Sequence, residues 1–345
     1  MDVAVVGAGG DIGRQIATQL VEEGLTTAHD RLQLVEAPNS DGLNVALGLR
    51  SDLADAFGET LPQVDVGAGP DDLVADVVIF AAGATVPCDP AEVRTREDLG
   101  EANAPVFESY AAALEKDGTG GEIVIVVSNP VELGVAIFAR HVERHRVIGM
   151  GSFLDTIRFR NEIARSLSVR RQRVRGLVIG EHGPHMLPLW STVSVQGMGE
   201  ELAAQKLGAL MAEGEADLAA ELRNAARQVA AGDIEAAYAQ VDRLPIAARV
   251  ALRPYVTHFT GAKTALGTAQ IVVRLTRTIL SGNDTLAACQ MRIEGEFLGL
   301  TGTIGVPVLM SNAGIVRVEP LELTDDETAR FRSSFAAVQE FLARF

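Results

Sequence analysis

Short apolar runs alternate with amphipathic stretches through the first half of the chain. Near-continuous Val/Ile-rich runs occupy residues 2–6, 32–36, 76–81, 122–127 and 146–149. Apolar runs without polar alternation are typical of strands buried on both faces, as in parallel sheets. Stretches with helical spacing lie between them, at 12–21, 102–116 and 134–144. This alternation predicts an α/β fold, a doubly wound parallel sheet, over residues 1–150.

The second half, residues 151–345, has a different pattern, which predicts an α+β domain. A helix is expected at 154–167, strands at 173–180 and 187–195, and Ala-, Glu- and Arg-rich helices from 200 to 279 with breaks at Gly232 and Pro254. A second β region follows at 286–316, with turns expected at Gly302, at 305–307 and at 312–314. Thr324 and Glu327 form a capping-box pattern before a last helix.

Composition and charge restrict the partners of the protein. The chain has 345 residues, enough for two domains, and a net charge of −16, which disfavours nucleic acid and anionic membranes as partners. No apolar run is long enough to span a bilayer. The two cysteines, Cys88 and Cys289, form no disulfide framework, and no signal-peptide pattern is seen, so a reducing, cytoplasmic location is expected. A reactive thiol at Cys88 is disfavoured because no base is adjacent to it in the sequence.

A glycine-rich stretch follows the first predicted strand. Gly7, Gly10 and Gly13 have the spacing G-x-x-G-x-x-G, and Gly9 lies between them. Backbone N–H groups in such a turn can approach a diphosphate at the positive end of a helix, as in a Rossmann-type domain. Glu36 closes the next strand, where a carboxylate binds ribose hydroxyls and repels a 2′-phosphate, so NAD is favoured over NADP. The alternative is that Glu36 is only a solvated strand end.

A histidine between two glycines is the main candidate for chemistry. His182 follows the apolar run 177–179, and histidine exchanges protons near neutral pH. Asp155 and Arg158 lie three residues apart on one face of a predicted helix and could orient His182 and hold an anion. Each signal alone has a structural alternative, since strand-end histidines and helical Asp–Arg pairs are common. A metal site with His185 is disfavoured because a proline separates the two histidines, and no metal is expected.

Seven stretches in this order resemble the lactate/malate dehydrogenase family over nearly the whole chain. They are 7–13, 81–83, Arg96-Glu97-Asp98-Leu99 with Asn103, Val127-Ser128-Asn129-Pro130-Val131, 154–160, 180–183 and 305–308. The resemblance implies an NAD-binding Rossmann domain followed by a substrate/catalytic domain. It also implies a homodimer or homotetramer that acts on a small 2-oxo or 2-hydroxy acid. The glycine spacing is more similar to the malate branch.

The resemblance also implies the roles of individual residues. His182 would exchange the proton, Asp155 would orient it, and Arg96, on a mobile loop, would polarise the 2-oxo group. The implied substrate-binding residues are Arg158, Asn129 and Thr264. The implied cofactor-binding residues are Gly7, Gly9, Gly10, Asp11, Ile12, Gly13, Glu36, Ala82, Gly83, Asn103, Val127 and Asn129.

Two segments depart from the family pattern and leave the substrate open. The loop 84–96 is longer than usual and has Cys88-Asp89-Pro90 where the substrate is normally selected, so Arg94 is the candidate to replace the missing cation. A helical insertion is expected near 229–258, carrying Arg249 and Arg253 close to the substrate; a surface elaboration is the alternative. Malate/oxaloacetate is the first candidate pair. The alternatives are a different or larger 2-hydroxy acid, and a non-catalytic dinucleotide-binding protein.

Overall fold

The computed structural model describes residues 1–87, 92 and 94–345. Its strands are β1 (Val3–Val6), β2 (Arg31–Glu36), β3 (Gln63–Ala68), β4 (Val77–Phe80), β5 (Ile123–Val126), β6 (Val147–Gly149), β7 (Val174–Gly180), β8 (Met186–Val195), β9 (Thr285–Glu294), β10 (Thr301–Ser311) and β11 (Gly314–Val318). Its helices are α1 (Asp11–Glu22), α2 (Asp41–Phe57), α3 (Arg96–Asp117), α4 (Val131–His141), α5 (Gly151–Ser166), α6 (Glu200–Met211), α7 (Leu218–Ala230), α8 (Ile234–Val241), α9 (Ile246–Thr257), α10 (Ala265–Ser281) and α11 (Asp325–Leu342). A π-helical turn, His258–Ala262, follows α9.

The first six strands form a parallel sheet in the order β3-β2-β1-β4-β5-β6, which contains the five predicted strands and also β3, which was not predicted. All residues of β1, β4 and β5 are buried, as expected for strands covered on both faces. The chain order reverses direction between β1 and β4, and ligands of open α/β sheets bind at the carboxyl ends of the strands beside such a reversal. The α/β fold expected from the sequence is confirmed.

The second half adds antiparallel strands to the same sheet. β9 pairs with β10 over ten residues, and β7 pairs with β8. Two single contacts join these strands to their neighbours: Gly149 of β6 lies opposite Gln290 of β9, and Gly305 of β10 lies opposite Gly180 of β7. One buried apolar cluster extends from Val3 to Val338 and therefore includes both halves of the chain. Among the described residues, no helix is both long and apolar enough to cross a membrane.

Two expectations about local structure are wrong. The expected break at Pro254 does not occur, because α9 contains this proline and continues to Thr257 before the π-helical turn. The turns expected at Gly302 and at 305–307 are absent, because both lie inside the continuous strand β10. The capping box of Thr324 and Glu327 is confirmed: the Thr324 side chain accepts from the Glu327 N–H and the Glu327 carboxylate accepts from the Thr324 N–H.

Candidate active site

A cavity of about 530 Å³ opens at the carboxyl ends of β1, β4 and β5. Its wall includes the glycine-rich turn, the segments that follow β4 and β5, the helix α5 and the end of α9. It brings together these candidates from the sequence: Gly10, Asp11, Ile12, Gly13, Gly83, Val127, Asn129, Arg158, His182 and Thr264. Residues from both halves of the chain therefore line one site.

The glycine-rich turn is packed too tightly for side chains at most of its positions. A Cβ added to Gly13 would lie 2.0 Å from the carbonyl oxygen of Gly7, and one added to Gly9 would lie 2.3 Å from the carbonyl oxygen of Gly42. Gly10 differs, since its Cβ would meet only the Gly7 oxygen, at 3.3 Å. The Glu36 carboxylate accepts a hydrogen bond of 2.6 Å from the Gly9 N–H, which holds the acid beside the turn. Glu36 is thus held beside the glycine-rich turn, and its binding of a ribose stays a prediction.

Asn103 is fully buried and holds two other segments of the site together. Its Oδ1 accepts from the Ala84 N–H at 2.6 Å, and its Nδ2 donates to the carbonyl oxygens of Ala84 and Asn129. The Asn129–Pro130 peptide bond is cis. Asn103 does not line the cavity, and neither do Gly7, Gly9, Glu36 and Ala82. The buried Asn103 instead fixes the backbone of Asn129, which does.

His182 lies between the cavity and a buried carboxylate. Its Nδ1 is 2.7 Å from Oδ2 of Asp155, whose side chain is 4% exposed. Arg158, one helical turn further along α5, donates to Oδ1 of the same carboxylate at 3.1 Å. Close packing against Gly151 also restrains the imidazole, since a Cβ there would lie 2.4 Å from its Cγ. The strand end and α5 therefore bring together the three residues that the sequence singled out.

The electrostatics favour a charged imidazole next to a charged carboxylate. Burial opposes the imidazolium, but the negative charge of Asp155 and its hydrogen bond outweigh burial and raise the pKa of His182. Burial likewise opposes ionisation of Asp155, but His182 and Arg158 outweigh it and hold the pKa of Asp155 below its ordinary value. His182 can thus hold a proton near neutral pH and pass it to a group in the cavity.

Arg96 does not face the cavity. It begins α3, where its Nη2 donates to Oε2 of Glu132 at 2.7 Å, its Nη1 pairs with Glu181, and its guanidinium stacks 4.7 Å over the ring of Phe341. Glu132, which is fully buried, also accepts from the backbone N–H of His182 at 2.6 Å. For Arg96 to polarise a substrate, its guanidinium must leave both glutamates; that role stays a prediction. Glu132 was not singled out from the sequence, where it is an acid in an apolar stretch.

The segment at the end of α9 forms a largely aromatic wall of the cavity. Tyr255 and Phe259 have ring centroids 4.7 Å apart, and His258 packs edge-on against Phe259 and lies 3.2 Å from the Pro87 carbonyl oxygen. Lys263 and Thr264 continue this wall. The sequence placed the insertion near the substrate but did not single out these aromatic residues.

The other arginines proposed from the sequence lie elsewhere. Arg249 and Arg253 pair with the buried carboxylate of Glu162 and line a second cavity of about 810 Å³ on the other side of Arg158 and Thr264. That cavity contains neither His182 nor the glycine-rich turn, so the smaller one is the candidate active site. Arg94 is exposed and does not line either cavity. Cys88, Asp89 and Pro90 lie outside the described residues.

The residues present fit a dinucleotide. The backbone of Gly10–Gly13 lines one end of the cavity and opens α1, whose N-terminal N–H groups suit a diphosphate. Val127, Asn129 and His182 line the same cavity, so the cavity that would hold the cofactor also contains the imidazole. The glycines of the turn leave room for close backbone approach.

Comparisons with known proteins agree with this geometry. The family models described as lactate/malate dehydrogenase, NAD binding domain, and lactate/malate dehydrogenase, alpha/beta C-terminal domain, match residues 1–149 and 152–241. The chain is 29% identical to an L-lactate dehydrogenase of Bacillus caldolyticus, covering 99% of this chain and 96% of that protein. It is 28% identical to an L-2-hydroxycarboxylate dehydrogenase (NAD(P)(+)) of Methanocaldococcus jannaschii, covering 99% and 98%.

Solved structures show the same fold. Malate dehydrogenase of Cryptosporidium parvum superposes with a TM-score of 0.76 at 24% identity, covering 99% of this chain and 98% of that one. A lactate dehydrogenase of the same organism, in complex with lactic acid and nicotinamide adenine dinucleotide, gives a TM-score of 0.78 at 23% identity, covering 99% and 96%.

Proposed function

The chain belongs to the lactate/malate dehydrogenase family, and we propose that it interconverts malate and oxaloacetate with His182 as the proton-exchanging residue. As a member of this family it is an NAD-dependent 2-hydroxy acid dehydrogenase. The observation that carries the assignment of residues is the contact between His182 and Asp155, 2.7 Å long, beside Arg158 in the cavity. The proposal for the substrate rests on separate arguments, given below.

His182 acts as the acid and base of the reaction. When a 2-hydroxy acid is oxidised, Nε2 of His182 takes the hydroxyl proton, and Asp155 stabilises the resulting imidazolium through Nδ1. In the reverse direction the imidazolium returns the proton to the 2-oxo oxygen. NAD, when bound, supplies the acceptor or donor of the hydride at the substrate carbon.

Arg158 binds the carboxylate that all 2-hydroxy acids share. A guanidinium matches a carboxylate in planar, two-point geometry. Its contact with Asp155 fixes the guanidinium next to His182, so the substrate carbon that carries the hydroxyl lies near the imidazole. This position is what makes proton transfer efficient.

Malate is the first candidate because the G-x-x-G-x-x-G spacing resembles the malate branch, and because His258 adds an imidazole to the cavity wall. A second candidate substrate is a 2-hydroxy acid with a larger apolar side chain. The packed rings of Tyr255 and Phe259 favour it, since aromatic walls bind apolar groups. Named relatives include both lactate and malate dehydrogenases.

The substrate is tested by following NADH absorbance with oxaloacetate, pyruvate, and branched and aromatic 2-oxo acids. We expect the highest kcat/KM with oxaloacetate. A preference for an aromatic 2-oxo acid would favour the second candidate, and a preference for pyruvate over all larger acids would exclude both.

The assignment of His182 is tested with His182→Asn. We expect oxidation of NADH by the 2-oxo acid to fall at least about 100-fold, while NADH still binds. His185→Asn, at an exposed histidine of the same turn, is the matched control and should keep activity. Unchanged turnover in His182→Asn would rule out the mechanism, and a wild type that binds NADH but reduces no acid would favour a dinucleotide-binding protein.

A further inference from the structure

An ion pair joins the two halves of the chain across the active-site cavity. Nζ of Lys263 lies 2.7 Å from Oδ2 of Asp11. Asp11 is the first residue of α1, directly after the glycine-rich turn, and Lys263 belongs to the segment between α9 and α10. Both residues line the cavity that reaches His182. The pair therefore lies where the diphosphate of a dinucleotide is expected.

Asp11 is an unfavourable residue for a diphosphate site. The N-terminus of a helix attracts anions, and a carboxylate at the first helical position adds a negative charge where the diphosphate must bind. The hydrogen bond from Lys263, which outweighs burial, holds the pKa of Asp11 below its ordinary value, so the acid is ionised. Arg14 is its other basic partner, at 2.5 Å. Binding of a dianion next to Asp11 therefore requires cations at this point.

The backbone of the segment holds Lys263 in an unusual conformation. Lys263 and Thr264 are consecutive residues with side chains, yet both have left-handed backbone angles, φ 51° and 54°. They follow Gly261 at φ 86° and the π-helical turn. Such angles are disfavoured for residues with a Cβ and persist where the surrounding structure imposes them, often at functional sites. This conformation places Lys263 beside Asp11 and Thr264 in the cavity wall.

We propose that Lys263 is a cofactor-binding residue whose ammonium group neutralises Asp11 and contacts the diphosphate of NAD. An ammonium donates in several directions and can therefore serve two acceptors at once. In this arrangement the substrate domain supplies a cation to the nucleotide domain, and bound cofactor strengthens the contact between them. The inference rests on the proposed placement of the dinucleotide at the turn Gly7–Gly13.

The test measures binding rather than turnover. Lys263→Met in the full chain should weaken NADH binding about tenfold or more, as expected for loss of a charge-assisted hydrogen bond. Binding is followed by the fluorescence of NADH. The same variant should weaken binding of ADP-ribose to a similar extent. It should leave binding of adenosine, which has no diphosphate, unchanged. Lys263→Arg should retain most of the affinity. Lys206→Met, at an exposed lysine of α6, is the control.

The role of Asp11 gives a second test. Asp11→Asn should tighten NADH binding, and in that background Lys263→Met should cost less affinity than in the wild type, because the two residues are coupled. His182→Asn should bind NADH like the wild type, which separates this inference from the proposed chemistry. An NADH affinity of Lys263→Met within twofold of wild type, or an equal loss for adenosine and ADP-ribose, would overturn the proposal.

Discussion

At His182, the proposed proton transfer depends on the negative charge of Asp155, which favours the imidazolium. We expect Asp155→Asn to remove the main influence that raises the pKa of His182, so that burial then favours the neutral ring. Reduction of a 2-oxo acid needs the imidazolium and should fall about 100-fold or more at neutral pH. The measurement is kcat/KM for reduction as a function of pH in the wild type and the variant.

The direction in which kcat/KM for reduction changes with pH follows from the raised pKa of His182. In the wild type, the pKa of His182 lies above its ordinary value, so reduction is sustained at low pH and falls as the pH rises through the raised pKa. Oxidation of the hydroxy acid needs the neutral ring and changes in the opposite sense. In Asp155→Asn the fall should move to lower pH. Asp117→Asn, at an exposed surface position, is the control; identical profiles for wild type and Asp155→Asn would contradict this account.

Individual residues were predictable from the sequence where their chemistry has a local signature. His182 between two glycines, and Asp155 one helical turn before Arg158, could be recognised before any fold was known. Lys263 and Glu132 could not, because their roles come from partners distant in the chain. The fold alone brings Asp11 of α1 to Lys263 in the segment before α10, and it brings the His182 N–H to Glu132 across 50 residues of sequence.

Among the elements, α9 depends on a buried ionic anchor. The Glu162 carboxylate, on α5, is 3% exposed and pairs with Arg253 at 2.7 Å and Arg249 at 3.8 Å. Glu162→Gln leaves these guanidinium groups without a full counter-charge, and breaking a buried pair in this way costs about 3 kcal/mol. We expect the free energy of unfolding, measured with denaturant, to fall by about that amount.

The control for this anchor is an exposed glutamate of another helix. Glu201→Gln, on the exposed surface of α6, should change the free energy of unfolding by less than about 0.5 kcal/mol. An equal effect for both substitutions would show that Glu162 does not hold α9 in place. A loss in Glu162→Gln should also weaken substrate binding, because α9 forms a wall of the cavity.

Elements with a strong apolar signal were predictable, and those whose position depends on a neighbour were not. Among the described residues, the edge strand β3 pairs with β2 alone. It has just one buried residue, and α2 buries only Ala46 and Leu53, so neither shows a clear apolar period. Pro254 lies inside α9, which packs against α5, α7 and α8, and these distant contacts cannot be read from the sequence. Gly302 lies inside β10 with φ 155°, a positive angle that favours glycine, so this glycine marks a strand position where the sequence predicts a turn.

At the scale of the whole molecule, the shared apolar cluster predicts that both halves unfold together. The single tryptophan, Trp190, lies in β8 and packs edge-on against Phe159, so its fluorescence reports on the second half. Far-UV circular dichroism reports on both. We expect the two thermal transitions to coincide, and saturating NADH to raise both midpoints together, since binding to the folded state stabilises it.

A tryptophan transition at lower temperature than the circular dichroism transition would contradict this prediction. It would show that the second half unfolds alone and that the pairings at Gly149–Gln290 and Gly305–Gly180 do not couple the halves. Lys263→Met offers a comparison, because it removes the contact with Asp11. It should reduce the rise in midpoint caused by NADH more than it reduces the midpoint measured without NADH.

The unequal crowding in the glycine-rich turn has a consequence for mutational tolerance. Replacement of Gly13 by any other residue forces a Cβ against the Gly7 backbone, so such variants should disappear from a saturation library selected only for folded protein. Gly10→Ala meets a single contact at 3.3 Å and should survive that selection. The same variant should be depleted when the library is sorted for NADH capture. Two neighbouring glycines of one motif would then be retained for different reasons, one by the fold and the other by the ligand.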